Sequence, residues 1–386
     1  MFTPVQCEAA YTSVGLAPDE GAAQMPRAGR VASMTARMGA KGLMKTLAIL
    51  VLGALLLAFQ QQLSRDQQAA PDWAYGYQRS LRPGDVVAPP CPETARPFPD
   101  CAYAATLPPQ DGIKHTLPGA AASFTRVEAY YDFGPADWYP EDHPPMPDIV
   151  AHGRESAGIR ACALCHFPNG QGKMENGGVA GLSAAYILQQ IEAFRSGARR
   201  SADPRKANAK EMAQVARLLT DDEKHAAAEY FASLRWRPWV KVVETDVVPA
   251  VRATTNGLFM PLTDRPPMAL GARIIEVPQR PRDTDELRDP RAGFLAYVPR
   301  GSVAKGAALV STGGGKTLPC GSCHGADLRG VGDIPGIAGR TASYLVRQLW
   351  DMKQGARQSP VMAPVVARLE VSDLINLAAF VASREP

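Results

Sequence analysis

The feature that most constrains this chain is an internal duplication. Gly178–Ser201 reads GVAGLSAAYILQQIEAFRSGARRS, and Gly336–Ser359 reads GIAGRTASYLVRQLWDMKQGARQS, with no gap between the two when they are aligned. The same offset of 158 residues brings a Cys-x-x-Cys-His motif at Cys162–His166 onto a second one at Cys320–His324. A match of this length indicates two copies of one domain rather than short motifs that recur by chance.

The copies also agree beyond the gapless stretch. Met212 and Met362 open the similar phrases MAQVARL and MAPVVARL at an offset of 150, so the first copy has the longer loop before them. Each copy then ends with an apolar stripe at i, i+3, i+4 and i+7, which predicts an amphipathic closing helix. These stripes are Ala227, Tyr230, Phe231 and Leu234 in the first copy, and Leu374, Leu377, Ala378 and Val381 in the second. Thr220 with Glu223 predicts a capping box before the first closing helix.

The repeated pentapeptide is the attachment signature of a c-type haem. Two thiols three positions apart can bond the two vinyl groups on one edge of a porphyrin, and the adjacent histidine can reach the iron. A structural zinc site would need four ligands, so each motif would have to find partners elsewhere. A thioredoxin-like dithiol would need a βαβ context, which the surrounding sequence does not offer. We therefore predict two covalently bound haem c groups, held by Cys162, Cys165 and His166 and by Cys320, Cys323 and His324.

A sixth iron ligand must come from elsewhere in each copy. Met212 and Met362 lie at corresponding positions, and we expect each to reach the iron from a loop before the closing helix. The competing methionines fit less well, because Met174 is too near His166 and Met352 falls on an apolar helical stripe. The iron-binding sets are then His166 with Met212 and His324 with Met362.

The proximal histidine also needs a partner for its other ring nitrogen. Pro335 stands at the expected place in the second copy, and Gly177 aligns with it in the first. Both residues supply a backbone carbonyl, so we expect the replacement of proline by glycine to matter little.

The start of the chain has the pattern of an export signal. Arg37, Lys41 and Lys45 precede the apolar run Thr46–Phe59, which is short for a membrane span. We assign residues 1–70 to a leader, either a signal peptide or an uncleaved membrane anchor, with Met34, Met38 or Met44 as alternative initiators. Export places the protein in the periplasm, where Cys91 and Cys101 are expected to form a disulfide.

The remaining sequence divides the chain further. Residues 71–149 are rich in proline and predict an irregular extension, and residues 239–300 carry β-prone runs that predict a partly β connector. The two repeated domains then occupy residues 150–238 and 301–386, which we name copy 1 and copy 2. A formal charge of +4 spread over 386 residues argues against nucleic-acid binding.

With these motifs in place, the chain resembles tandem class I cytochromes c, in particular the bacterial dihaem c-four type, over Val150–Leu234 and Gly301–Pro386. The resemblance implies a mainly α fold with two cytochrome c domains in tandem. It implies in each domain an N-terminal helix that carries the haem motif and crosses the closing helix. Gly153 and Gly306 match the family glycine of the first helix, and Tyr230 and Phe380 match the aromatic residue of the last. The long extension and connector depart from the family pattern.

The function implied is electron transfer by a periplasmic dihaem carrier with two six-coordinate His/Met haems. Expected partners are a quinol-oxidising complex or a dehydrogenase upstream and a terminal oxidase downstream. The sequence leaves open a cytochrome c subunit of a membrane-associated dehydrogenase or oxidase complex and, less favoured, a dihaem peroxidase or a haem-based sensor. We expect no catalytic residues, and a basic patch around Arg199 and Arg200 could steer a partner.

Overall fold

The computed structural model describes residues 70–81, 111–254 and 256–386. Most of the leader, together with Cys91 and Cys101, lies outside the described residues, so the export signal and the disulfide stay predictions. Within the described ranges, no helix is both long enough and apolar enough to span a membrane.

The described parts of the extension, residues 71–81 and 111–149, have short elements, and some of their buried residues share a small core with Leu287 of the connector. These elements are a 3-10 helix at Asp72–Tyr75, strands β1 (Lys114–His115) and β2 (Phe124–Thr125) in an antiparallel pair, helix α1 (Arg126–Ala129), and a 3-10 helix at Pro140–Asp142. Trp138 is buried, and its indole N–H donates to the carbonyl oxygen of Leu287 in the connector at 2.8 Å. This contact fixes the extension against the connector.

Copy 1 is helical around a single apolar core. Its elements are α2 (Asp148–Ala151), a 3-10 helix at Glu155–Ala157, α3 (Cys162–His166), α4 (Ala184–Arg195), α5 (Ala207–Leu218) and α6 (Asp221–Ser233). The capping box of Thr220 and Glu223 forms at the start of α6, as predicted. The four residues of the predicted stripe are all buried, so α6 presents one face to the core.

The connector contains the predicted strands. They are β3 (Val240–Glu244), β4 (Val247–Val248), β5 (Val251–Ala253), β6 (Phe259–Pro261), β7 (Met268–Ala269), β8 (Ile275–Pro278) and β9 (Phe294–Val298), with helix α7 at Pro281–Glu286. The largest sheet has the order β3-β9-β8, in which β9 is parallel to β3 and antiparallel to β8. Phe167 and Met174 of copy 1 belong to the connector's apolar core, so the two regions share buried surface.

In copy 2 a first helix crosses the closing helix, as the resemblance implies, but the haem motif lies on a separate short helix and not on the first one. Its elements are α8 (Ser302–Thr312), a 3-10 helix at Gly313–Gly315, α9 (Gly321–His324), α10 (Ala342–Lys353), α11 (Met362–Val366) and α12 (Val371–Ala382). Helix α8 crosses α12 at Gly306, where the absence of a side chain lets the two backbones approach. A Cβ at this position would overlap the carbonyl oxygen of Asn376.

In copy 1 the first helix is much shorter and ends well before the haem motif, so the expectation of an N-terminal helix that carries the motif is wrong there too. Helix α2 has only four residues, and Pro147 stands at its N-cap. Gly153 lies beyond the end of α2 with a φ of +69°, a left-handed conformation that a helix interior cannot contain. Gly158 has a similar φ of +67° and ends the following turn. Gly153 and Gly306 therefore have different structural roles despite their alignment.

Candidate functional site

Each Cys-x-x-Cys-His motif forms a short helical turn that ends on its histidine. In copy 1 the turn is α3, and in copy 2 it is α9. The four motif cysteines form no disulfide bond. Burial raises the pKa of both Cys162 and Cys165 to about 12, so these thiols are neutral at physiological pH. The copy 2 motif is more open, because Cys323 is exposed.

The two histidines are oriented in the same way. The Nδ1 of His166 lies 2.8 Å from the carbonyl oxygen of Gly177, and the Nδ1 of His324 lies 2.8 Å from that of Pro335. A carbonyl oxygen can only accept, so each Nδ1 carries the hydrogen and each Nε2 keeps its lone pair. Burial lowers the pKa of His166, which favours the neutral imidazole that a metal binds. The backbone acceptor expected from the sequence is thus present in both copies.

Packing explains why copy 1 has glycine where copy 2 has proline. A Cβ at Gly177 would lie 3.1 Å from the hydroxyl oxygen of Tyr344, which belongs to copy 2. That distance is shorter than most side-chain contacts, and the further ring atoms of a proline would add to the close contacts with Tyr344. Gly177 thus keeps the carbonyl that orients His166 while leaving room for the neighbouring copy.

The two predicted axial methionines do not lie in loops, contrary to the sequence-based expectation. Met212 lies within α5, and Met362 is the first residue of α11. The segment Ala207–Leu218 is rich in Ala, Lys, Glu, Met and Gln, all of which favour a helix. Both methionines are partly buried and pack against the core of their own copy. Their role as iron ligands stays a proposal.

A reciprocal ring of hydrogen bonds joins the copies. The guanidinium of Arg199 donates to the hydroxyl of Tyr344 at 2.9 Å and to the side-chain carbonyl of Gln348 at 3.0 Å. The guanidinium of Arg357 donates to the matching residues of copy 1, Tyr186 at 2.7 Å and Gln190 at 2.8 Å. Each arginine also donates to the glutamine of its own copy.

Backbone contacts continue the same pattern. The N–H of Arg200 donates to the carbonyl of Ala356 at 2.8 Å, and the N–H of Gln358 donates to that of Ala198 at 2.7 Å. The repeated Gly-Ala-Arg segments are therefore explained by the interface between the copies. Arg199 is partly buried and bonded across this interface, whereas Arg200 is exposed, so of the two residues only Arg200 is open to a partner.

Several residues that make contacts between the copies were not predicted from the sequence. Arg340 of copy 2 donates to the carbonyls of Gly178 and Ala180, both at 3.0 Å, and its guanidinium lies 4.0 Å from the ring centre of Trp236. Arg347 donates to the carbonyl of Ala74 at 2.6 Å, which ties the extension to copy 2. The signal was a departure from the repeat, because Arg340 aligns with Leu182 and Arg347 with Gln189. A difference between copies marks a contact that only one copy makes.

The arrangement fits haem c better than the alternatives. In the described part of the chain, no three Cys, His, Asp or Glu side chains converge to hold a metal ion, so a four-ligand zinc centre has no ligand set there. Burial and the nearby Arg199 guanidinium lower the pKa of Arg357. Within the described ranges, neither arginine has a carboxylate at ion-pair distance.

Comparison with known proteins also indicates a cytochrome c. The cytochrome c family profile matches residues 150–235. The chain is 34% identical over 96 residues to the thiosulfate dehydrogenase electron acceptor of Stutzerimonas stutzeri, covering 23% of this chain and 44% of that protein. It is 35% identical over 83 residues to cytochrome c-554(547) of Halothiobacillus neapolitanus, covering 18% of this chain and 91% of that protein. The matched part spans about half the length of the first curated relatives.

Among solved structures, a thiosulfate dehydrogenase from Marichromatium purpuratum matches with a TM-score of 0.41 and 26% identity. The match covers 61% of this chain and 39% of that one.

Proposed function

This chain belongs to the cytochrome c family, and we propose that it is a dihaem electron carrier in which each copy holds one covalently attached haem c. The observation that carries the proposal is the identical arrangement of the two histidines. Each stands at the end of a Cys-x-x-Cys-His turn and is fixed at 2.8 Å by a backbone carbonyl. When bound, the haem iron supplies a one-electron couple.

The residues of the chain bind and orient the groups. The thiols of Cys162 and Cys165, and of Cys320 and Cys323, would form the thioether bonds. The Nε2 atoms of His166 and His324 would bind iron, and the thioethers of Met212 and Met362 would supply the second protein ligand in each copy. The ring around Arg199 and Arg357 holds the copies in fixed contact, which suits electron transfer within the molecule.

The spectrum of the purified chain tests this proposal. We expect two haems per chain that stay bound under denaturing extraction, and low-spin His/Met signals in the ferric and ferrous states. A high-spin haem, or a ferrous haem that binds carbon monoxide readily, would instead favour the peroxidase interpretation. One haem per chain would contradict the dihaem assignment.

The axial methionines are tested one at a time. Met212→Ala and Met362→Ala should each convert one haem from low to high spin and lower its reduction potential, because the thioether stabilises ferrous iron. Met352→Ala is the matched control, since Met352 is also partly buried in a copy but packs as core. If Met212→Ala or Met362→Ala leaves both haems low-spin, the ligand assignment for that copy is wrong.

For the partners, we propose a dehydrogenase that donates electrons to this chain in the periplasm, with a quinol-oxidising complex as the alternative donor, and a terminal oxidase as the acceptor. Similarity to a thiosulfate dehydrogenase electron acceptor supports this choice. The chain acts here as a carrier and not as the catalyst. Mixing the oxidised chain with a purified thiosulfate dehydrogenase and thiosulfate should reduce both haems. Reduction no faster than with thiosulfate alone would exclude this donor.

A further inference from the structure

The exposed apolar residues of copy 2 are all concentrated near its haem motif. The large hydrophobic residues of copy 2 with exposed side chains are Leu318 (63% exposed), Val331 (60%), Ile334 (40%) and Val361 (71%). Leu318 lies two residues before Cys320, and Val361 directly precedes Met362. Val331 and Ile334 form a backbone bridge in the loop after His324. We name these four residues the apolar face.

The aligned residues of copy 1 show where the four residues of the apolar face lie relative to the second cysteine of the motif. Their counterparts there are Arg160, Lys173, Asn176 and Glu211. Arg160 pairs with Glu211 at 3.5 Å, and Asn176 donates to the carbonyl oxygen of Cys165 at 3.4 Å. Lys173 and Asn176 form the same bridge as Val331 and Ile334. The apolar face of copy 2 therefore lies around Cys323, which is itself exposed.

The corresponding surface of copy 1 is covered. Lys173 is 2% exposed and is paired with Glu175 at 2.6 Å. The connector covers this loop, since Asn169 donates to the carbonyl of Pro290 at 2.8 Å and Phe167 packs against Trp239. Polar residues and a covering segment have thus replaced the open apolar surface that copy 2 retains.

We propose that the apolar face of copy 2 is the single docking site for the redox partner, and that copy 1 exchanges electrons with that partner only through copy 2. This inference rests on the proposed function. Monomeric proteins rarely leave clustered apolar side chains in water unless a partner covers them.

The charges near the face indicate the chemistry of the partner. The loop Gly325–Gly336 carries only Asp327, Arg329 and Asp333, and the first two of these are paired at 3.7 Å. A surface so nearly neutral offers little attraction to a strongly charged partner. The occupant that fits is a redox protein whose own cofactor opens on an apolar face of low charge.

The test uses the full haem-loaded chain and, as the probe, a reduced small blue-copper protein with an apolar face over its copper site. Stopped-flow absorbance follows both haems after mixing. We compare wild type with Leu318→Lys, Val361→Lys and the control Val247→Lys, which changes another exposed valine, 54% exposed, in β4 of the connector. Direct chemical reduction must first give two low-spin ferrous haems in every variant, and a failure there would count against the proposed function instead.

We expect both charged variants to slow the reduction of the two haems together by about tenfold, with the control within about twofold of wild type. We also expect little change in the wild-type rate between low and high salt, because the face is nearly uncharged. The proposal is overturned if the variants slow the reduction of only one haem or of neither haem. It is also overturned if the control variant is reduced as slowly as the charged variants, or if wild type is.

A photo-cross-linking amino acid in place of Val361 identifies the occupant. A cross-link to the copper protein supports the proposal. A cross-link to residues 82–110 of the same chain, or to a second copy of the chain, would show that the face is already covered and would overturn it.

Discussion

The crossing of α8 and α12 makes a sharp prediction about Gly306. A Cβ added there would overlap the carbonyl oxygen of Asn376 and lie 2.7 Å from the Cβ of Phe380. Contacts below 3.0 Å are essentially never formed by real Cβ atoms, and the main obstacle is helix backbone, which cannot rotate away. Relief therefore requires the two helices to separate by on the order of 1 Å, which disturbs the core they share.

The expected cost of Gly306→Ala follows from two opposing effects. Overpacking a well-packed core costs about 1–3 kcal/mol, and rigid backbone in the way favours the upper end. Alanine in a helix interior recovers about 1 kcal/mol relative to glycine. We expect a net loss of about 2 kcal/mol in the free energy of unfolding of copy 2, although helix propensity alone predicts a gain.

Denaturant unfolding followed by circular dichroism and by the haem absorption of copy 2 measures this cost. Lys305→Ala is the control on the same helix, because Lys305 is exposed and its change should stay within about 0.5 kcal/mol. If Gly306→Ala proves as stable as the control, the two helices are not in close contact at this point and the reasoning fails.

Two further predictions concern buried charge. Arg357→Met removes the hydrogen bonds to Tyr186, Gln190 and Gln348 and should lower the free energy of unfolding by about 2 kcal/mol. Limited proteolysis should then cut the chain between the copies faster than in wild type. The control Arg368→Met, at an exposed residue, should change little. Glu276 accepts from the N–H groups of Ala342 and Ser343, and burial raises its pKa above 4.5. The folded state holds this proton to higher pH than the unfolded state, so the stabilising contribution is present below about pH 4.5 and is lost as pH rises through the raised pKa. Stability measured from pH 5 to pH 8 should therefore fall more in wild type than in Glu276→Gln, and equal slopes would contradict this.

Features that depend on a few neighbouring residues could be predicted from the sequence. The Cys-x-x-Cys-His turns, the capping box at Thr220 and the buried face of α6 all follow from spacing within one or two helical turns. The carbonyl partner of His166 was also predicted, because any residue at position 177 supplies one.

Features that depend on distant contacts could not be predicted. The repeated segment contains Tyr186, Gln190 and Arg199, but the spacing of residues along the sequence does not show that these side chains form the contact between the two copies. Alignment of Gly153 with Gly306 suggested equal helices, whereas the left-handed backbone of Gly153 ends the first helix early. The covered loop of copy 1 depends on a connector that lies more than 60 residues further along the chain.

The ring around Arg199 and Arg357 is isologous, since each copy presents the same patch that it receives. This is the symmetry of a homodimer, so an ancestral single repeat with these tyrosine, glutamine and arginine residues would have paired with an identical molecule. When two repeats are joined in one chain, each molecule contains one of each, and the two sequences can then change independently. The short α2 and the covered loop of copy 1 are departures that such a fusion permits.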